Sequence, residues 1–218
     1  MPAWVEKLLP ILGLLVAVGF VLARLPKVDL GHSEAFKRRR VMNWVPLGLT
    51  YAFLYFGRYN LSAIAQDLDK SGLLPKGDFN EIDGIGAWVY GFAFLINGPL
   101  ADKFGGRATM LAAAAGSALV NVGMALAMTA GAKDPGALKS NLLWLNAVNM
   151  YCQSFGAVSI VKVNAPWFHV RERGVLGGLF GILISLGLYF SYDWSLGISQ
   201  KWGLSAAFWV PGGVLGFF

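Results

Sequence analysis

The chain has 218 residues, of which 56% are hydrophobic and only 14% charged, with a formal net charge of +6. A soluble domain is about one quarter charged, so this composition excludes a soluble globule. It also excludes a disordered or nucleic-acid-binding chain, because the 18 Lys and Arg are scattered between long uncharged stretches and form no basic face.

The single cysteine, Cys152, permits no intrachain disulfide, and His32 and His169 are far apart with no carboxylate at ligand spacing. Neither a metal, another cofactor nor an enzymatic activity is expected. Runs without a charge cover 8–23, 41–57, 84–101, 108–132, 140–161, 174–192 and 202–218. A helix needs about 20 mostly apolar residues to cross roughly 30 Å of hydrocarbon. The expectation is an all-α polytopic membrane protein with seven transmembrane helices.

Residues 1–25 read as an extra N-terminal transmembrane helix with its N-terminus outside. Lys7 before an apolar core and Val21-Leu22-Ala23 after it also fit a secretory leader. The heavier positive charge follows the core, from Arg24 to Arg40, and favours a retained helix. Residues 26–40, with Pro26 and Gly31, form a basic cytoplasmic linker to a six-helix unit over 41–218.

With that linker in the cytoplasm, ten Lys and Arg fall on its side and six on the other, where Asp67, Asp69, Asp78, Glu81, Asp83, Asp134 and Asp193 also lie. This asymmetry sets the orientation and suits a multi-pass protein of a bacterial inner membrane. Arg58 and Lys162 are the two cations left inside predicted spans.

Arg58 lies eighteen residues beyond Arg40, about 27 Å along a helix. It either snorkels to the outer surface or faces a central cavity, where its guanidinium can grip a phosphate through two parallel hydrogen bonds. Tyr51 and Tyr55 share its helical face and would add hydroxyl donors.

The next turn is Gly98-Pro99-Leu100-Ala101-Asp102-Lys103-Phe104-Gly105-Gly106-Arg107. Its glycines permit a tight reversal, Asp102 is expected to cap the following helix, and Lys103 and Arg107 hold the loop on the positive side. Lys162 precedes Arg171 by nine residues, about 13 Å of helix. It either reaches the cytoplasmic interface, helped by a kink at Pro166, or contacts substrate as a point charge.

Asn97, Asn121, Asn146, Asn149, Gln153 and Asn164 read as amides that bond between helices. The small residues Gly177, Gly181 and Ser185 read as a face for close helix packing. No carboxylate falls within a predicted span, since Asp102 and Asp193 sit at ends. A proton relay is therefore not evident, and exchange of one anion for another needs none.

The turn over 98–107 resembles the signature loop of the major facilitator superfamily. Tyr51-Ala52-Phe53-Leu54-Tyr55-Phe56-Gly57-Arg58-Tyr59-Asn60 and Trp167-Phe168-His169-Val170-Arg171-Glu172-Arg173-Gly174 resemble stretches of its organophosphate:phosphate antiporter branch. The resemblance runs from about Arg38 to the end and omits residues 1–30. It implies the N-terminal half of such a transporter, with Arg58 binding substrate phosphate. A lysine and a histidine of the branch fall at Phe94 and near Ile184, both apolar here, and Lys162 stands where the branch has an arginine. The branch draws a second phosphate-binding arginine from six further helices.

The leading expectation is a transporter, or half of one, for phosphate-bearing organic anions, working by anion exchange and alternating access. Its partners would be a small phosphate-bearing anion, the lipid bilayer, and a second six-helix half or other membrane subunits, with no nucleic acid. The alternatives are a non-transporting scaffold subunit of a larger membrane complex and a sugar-phosphate sensor.

Overall fold

In this computed structural model the described residues are 31–131 and 134–218, together with Leu9, Leu12, Gly13, Val16, Ala17, Gly19 and Phe20. The helix expected over 1–25 and the first part of the linker otherwise lie outside them, as does Lys133. Helix α1 (Glu34–Ala63) begins where the Ser33 hydroxyl accepts the Phe36 N–H at 3.3 Å, satisfying one of the free donors of the first turn. A short α2 (Ala65–Lys70) leads into α3 (Lys76–Phe104) and α4 (Gly106–Gly131).

Helix α5 (Pro135–Asn164) is capped by Asp134, which accepts from Gly136 and Ala137, while Pro135 occupies a first-turn position where its missing N–H costs nothing. It ends in a 3-10 turn, Ala165–Trp167, that contains Pro166, so this proline terminates the helix and does not kink it. A second such turn, Val170–Glu172, precedes α6 (Arg173–Tyr189). A π-helical turn (Phe190–Trp194), α7 (Ser195–Trp202) and α8 (Ala206–Phe217) complete the described chain.

Among the described residues three helical segments are long and apolar enough to cross a membrane: Lys76–Phe104, Gly106–Ala130 and Leu176–Trp202. Helices α1 and α5, at 30 residues each, have the length, about 45 Å, but carry many polar side chains. Beyond their first turns several of those side chains are buried, and amides of four helices bond across the bundle. Asn121 and Asn149 both donate to the Gly57 carbonyl, Asn146 to Ile82, and Asn97 to Tyr151 and Ser154. The amides thus do bond between helices, except Asn164, which donates to Ile160 of its own helix.

Two apolar clusters bracket this polar layer. One, with Leu61, Ile64, Leu68, Met124, Leu138, Leu142 and Phe208, closes the end that bears the acidic loops. The other, with Tyr51, Leu54, Met110, Ala113, Ile160 and Leu215, fills the part nearer the basic end.

Two expectations need correction. Helix α6, the π turn and α7 run on from Arg173 to Trp202, so the helix does not end at Asp193. It stands nine residues before Trp202, about 13 Å of helix; one carboxylate interrupts the charge-free run without ending the helix. The close helix approach within this unit is also elsewhere than on the expected small-residue face. A Cβ at Gly177 or Gly181 would meet nothing within 4 Å, and Ser185 is exposed. The close approach is at Gly187, where a Cβ would fall 2.5 Å from the Ala52 carbonyl oxygen and 2.6 Å from Tyr55 Cβ. Spacing alone marks several faces of one helix and does not say which of them meets a neighbour.

Candidate functional site

Helix α1 carries Tyr51, Tyr55, Arg58 and Tyr59 across the level where α3 and α5 pack beside it. Arg58 is only 6% exposed, so it does not snorkel to the surface. Its Nε and Nη2 donate to Gln153 Oε1 of α5 at 3.3 and 3.2 Å. The other side of that amide donates to the Leu54 carbonyl at 2.9 Å, which aims Oε1 at the guanidinium.

Three aromatic rings close the site. The guanidinium carbon is 4.5 Å from the centroid of Tyr55, 4.8 Å from Tyr90 of α3 and 5.9 Å from Tyr59. Such contacts contribute about 0.5–2 kcal/mol each, most where water is excluded. Tyr51 packs edge-on to Tyr55 at 5.4 Å. Among the described residues no carboxylate pairs with Arg58, and Nη1 has no hydrogen-bond partner. A permanent cation is therefore held in the bundle by neutral groups, with donors to spare.

Where the sequence suggests an open cavity beside Arg58, these three rings stand against the guanidinium. Grooves of 430 and 460 Å³ run along the exposed face of α3 at Trp88 and Phe92, one of 370 Å³ lies at Trp194 and Trp202, and one of 230 Å³ at Asn43 and Arg107. Arg58 lines none of these four.

Lys162 is not brought to Arg58. It lies nine residues beyond Gln153 on α5, about 13 Å away along the axis, and its ammonium pairs with Asp102. Asp102, in the last turn of α3, therefore ties α3 to α5 and does not cap α4. Gly105 ends α3 at φ +84°, a conformation that favours glycine. Gly98 is half-buried within α3. The Lys103 ammonium lies 5.5 Å over the Phe104 ring, and Arg107 Nη2 donates to Asn43 Oδ1 of α1 at 3.2 Å.

The second predicted loop joins the same end. Arg40 Nη1 donates to Glu172 Oε1 at 2.9 Å and stands 5.0 Å over the Phe168 ring. The His169 N–H donates to Glu172 Oε2 at 3.0 Å, and the backbone N–H of the exposed Arg171 to His169 Nδ1. Arg173 opens α6.

Burial alone would raise the Glu172 carboxyl, but the His169 N–H and Arg40 outweigh it and hold it below the usual glutamate range. A carboxyl held low stabilises the fold above its unfolded value of about 4.3. That contribution is lost as pH falls through the lower folded value. Glu172→Gln should therefore lower the unfolding midpoint at neutral pH, by up to about 1 kcal/mol. The difference from wild type should shrink as the pH drops through 4, measured by thermal unfolding in detergent across pH.

Gln153 and Tyr90 were not singled out as site residues from the sequence. Gln153 was one of six amides with the same expected role, and Tyr90 reaches the site from another helix. Gln153→Leu removes the acceptor for two guanidinium donors and the donor for the Leu54 carbonyl. The expected loss is about 2–4 kcal/mol of stability, against no more than about 0.5 kcal/mol for an exposed control such as Arg171→Ala.

The sequence profile described as Major Facilitator Superfamily matches residues 47–218. The membrane sensor protein UhpC of Salmonella typhimurium is 25% identical over 184 residues, covering 79% of this chain and 39% of the relative's length. The chain thus spans about two fifths of the curated relative it matches. No solved structure matches it.

Proposed function

The chain belongs to the Major Facilitator Superfamily, and on that footing we propose that its six-helix unit is one half of a secondary transporter for phosphate-bearing organic anions. It works by anion exchange and alternating access, with residues 1–25 as a seventh span. The observation that carries this reading is the buried Arg58, a cation with no carboxylate partner among the described residues and with free donors. An ionised group within a span costs about 2.5–3.5 kcal/mol on insertion scales and persists where it serves a pathway. A phosphate would supply the missing countercharge through the guanidinium fork, with Tyr51 and Tyr55 as neighbouring hydroxyl donors. Lys162 takes the part of a tie to the 98–107 loop and not of a substrate contact.

The second half, whether in the same polypeptide or in another subunit, would seat on the faces that this unit leaves open. These are Trp88, Phe92 and Leu95 of α3, 60–73% exposed, and the uncovered Gly177 and Gly181 of α6. A sensor that binds the same anion without carrying it is the second reading, favoured by the name of the relative from Salmonella. Vesicles that contain the full-length protein and are loaded with inorganic phosphate separate the two. Uptake of labelled phosphate by exchange supports a carrier, saturable binding without uptake supports a sensor, and neither overturns the site.

A further inference from the structure

The basic end of the bundle holds cations that its own acids do not neutralise. Among the described residues the acids there are Glu34, Asp102 and Glu172, and each is already taken, by Lys37, Lys162 and Arg40 in turn. Arg39 and Arg107 are exposed, and neither pairs with a carboxylate among the described residues.

Both arginines stand at one groove. The groove of 230 Å³ between α1 and α4 has apolar walls that include Pro46, Leu47, Met110, Leu111 and Val163, and it also touches Asn43 and Arg107. Asn43 precedes Leu47 by four residues on α1, and Arg107 precedes Leu111 by four on α4, so the polar pair stands one turn nearer the basic end. Arg107 Nη2 donates to Asn43 Oδ1 at 3.2 Å, while Asn43 Nδ2 is buried without an acceptor. Arg39, Asn43 and Pro46 are spaced four and three residues apart and share one side of α1, which sets Arg39 a turn above the same opening. Arg107 also lies in the first turn of α4, where unbonded backbone N–H groups and the helix dipole favour an anion.

We propose that this groove binds an anionic phospholipid, with its phosphate held between Arg39 and Arg107 and an acyl chain laid along Leu47, Met110 and Leu111. Leu111 is 65% exposed, so the groove opens sideways, towards hydrocarbon and away from the bundle interior. A free anion would use the two arginines and leave the apolar walls bare, whereas a phospholipid uses both. Its charge supplies the countercharge that the acids at this end give to other cations. Basic groups beside a membrane surface attract anionic headgroups in this way, and arginine stems lie along apolar surface while their heads reach the phosphate level.

The lipid site is separate from the buried cation. Arg58 lies fifteen residues beyond Asn43 on α1, about 22 Å along the axis, and does not line this groove. Lipid binding therefore does not depend on what Arg58 holds.

The test is native mass spectrometry of the full-length protein in detergent, titrated with palmitoyl-oleoyl phosphatidylglycerol or with the phosphatidylcholine of the same chains. The wild type should retain one phosphatidylglycerol in preference to phosphatidylcholine. Arg39→Ala and Arg107→Ala should each weaken that binding about fivefold, and together about 25-fold. Asn43→Asp, which gives Arg107 a carboxylate of its own, should weaken it as Arg107→Ala does, while Arg171→Ala should not. Unchanged helicity by circular dichroism shows that each variant folds. Equal retention of the two lipids, or full phosphatidylglycerol binding in the folded double variant, would overturn the proposal. Displacement of the lipid by millimolar inorganic phosphate would assign the arginines to a free anion and also overturn it. Arg58→Ala should bind phosphatidylglycerol as wild type does, so a protein that holds the lipid but exchanges no phosphate overturns only the anion-carrier reading.

Discussion

Arg58→Ala should lower phosphate exchange by at least about 100-fold in reconstituted vesicles. The variant loses two charge-assisted hydrogen bonds to the anion, each about 1.5–3 kcal/mol, and 1.4 kcal/mol is a factor of ten. Arg58→Lys should fall between, roughly tenfold down, because the charge remains while the planar fork is lost. The alanine variant also leaves Gln153 Oε1 without its donor, at a cost of about 1–3 kcal/mol if the space stays dry. Each variant therefore needs its helical content and unfolding midpoint measured beside its flux. Full activity in a folded Arg58→Ala protein would remove the guanidinium from the site.

The second large effect concerns packing. Gly187→Ala should destabilise the bundle by about 1–3 kcal/mol, because the added Cβ falls on the Ala52 carbonyl and on Tyr55 Cβ. Neither neighbour is the loose end of a flexible side chain, so α6 must move off α1. The movement would also shift Tyr55, which lies against Arg58, and so reach the anion site. Gly181→Ala on the same helix meets open space. It should be neutral or stabilising by about 0.5–1 kcal/mol from the gain in helix propensity. Thermal or denaturant unfolding in one detergent compares the two directly. Equal losses at both positions would mean that α6 packs through its 177–185 face after all.

The all-helical, membrane-type fold was legible because the distance between charges reports how much chain can lie in hydrocarbon, and that quantity needs no tertiary information. Arg58 was legible for the same reason, as a charge at a depth where charges are costly. What the order of residues does not contain is the direction in which each side chain points once several helices are packed. Lys162 has the right depth for an embedded cation, but its ammonium turns to Asp102 on a neighbouring helix. Gln153 looks like the other five buried amides until α5 is set against α1. Asp193 was read as a boundary because one carboxylate among apolar residues has the same signature as a loop. Backbone hydrogen bonding carries the helix past it, and the π turn at that point has no mark in the spacing of charges.

The decisive experiment is equilibrium binding of inorganic phosphate to the full-length protein in lipid nanodiscs, measured by calorimetry on wild type and on Arg58→Ala. Saturable binding is expected that the substitution abolishes or weakens at least about 100-fold, with Arg171→Ala binding as wild type does. Wild-type affinity in folded Arg58→Ala would contradict it and leave the buried arginine as a structural cation held by Gln153 and three tyrosine rings.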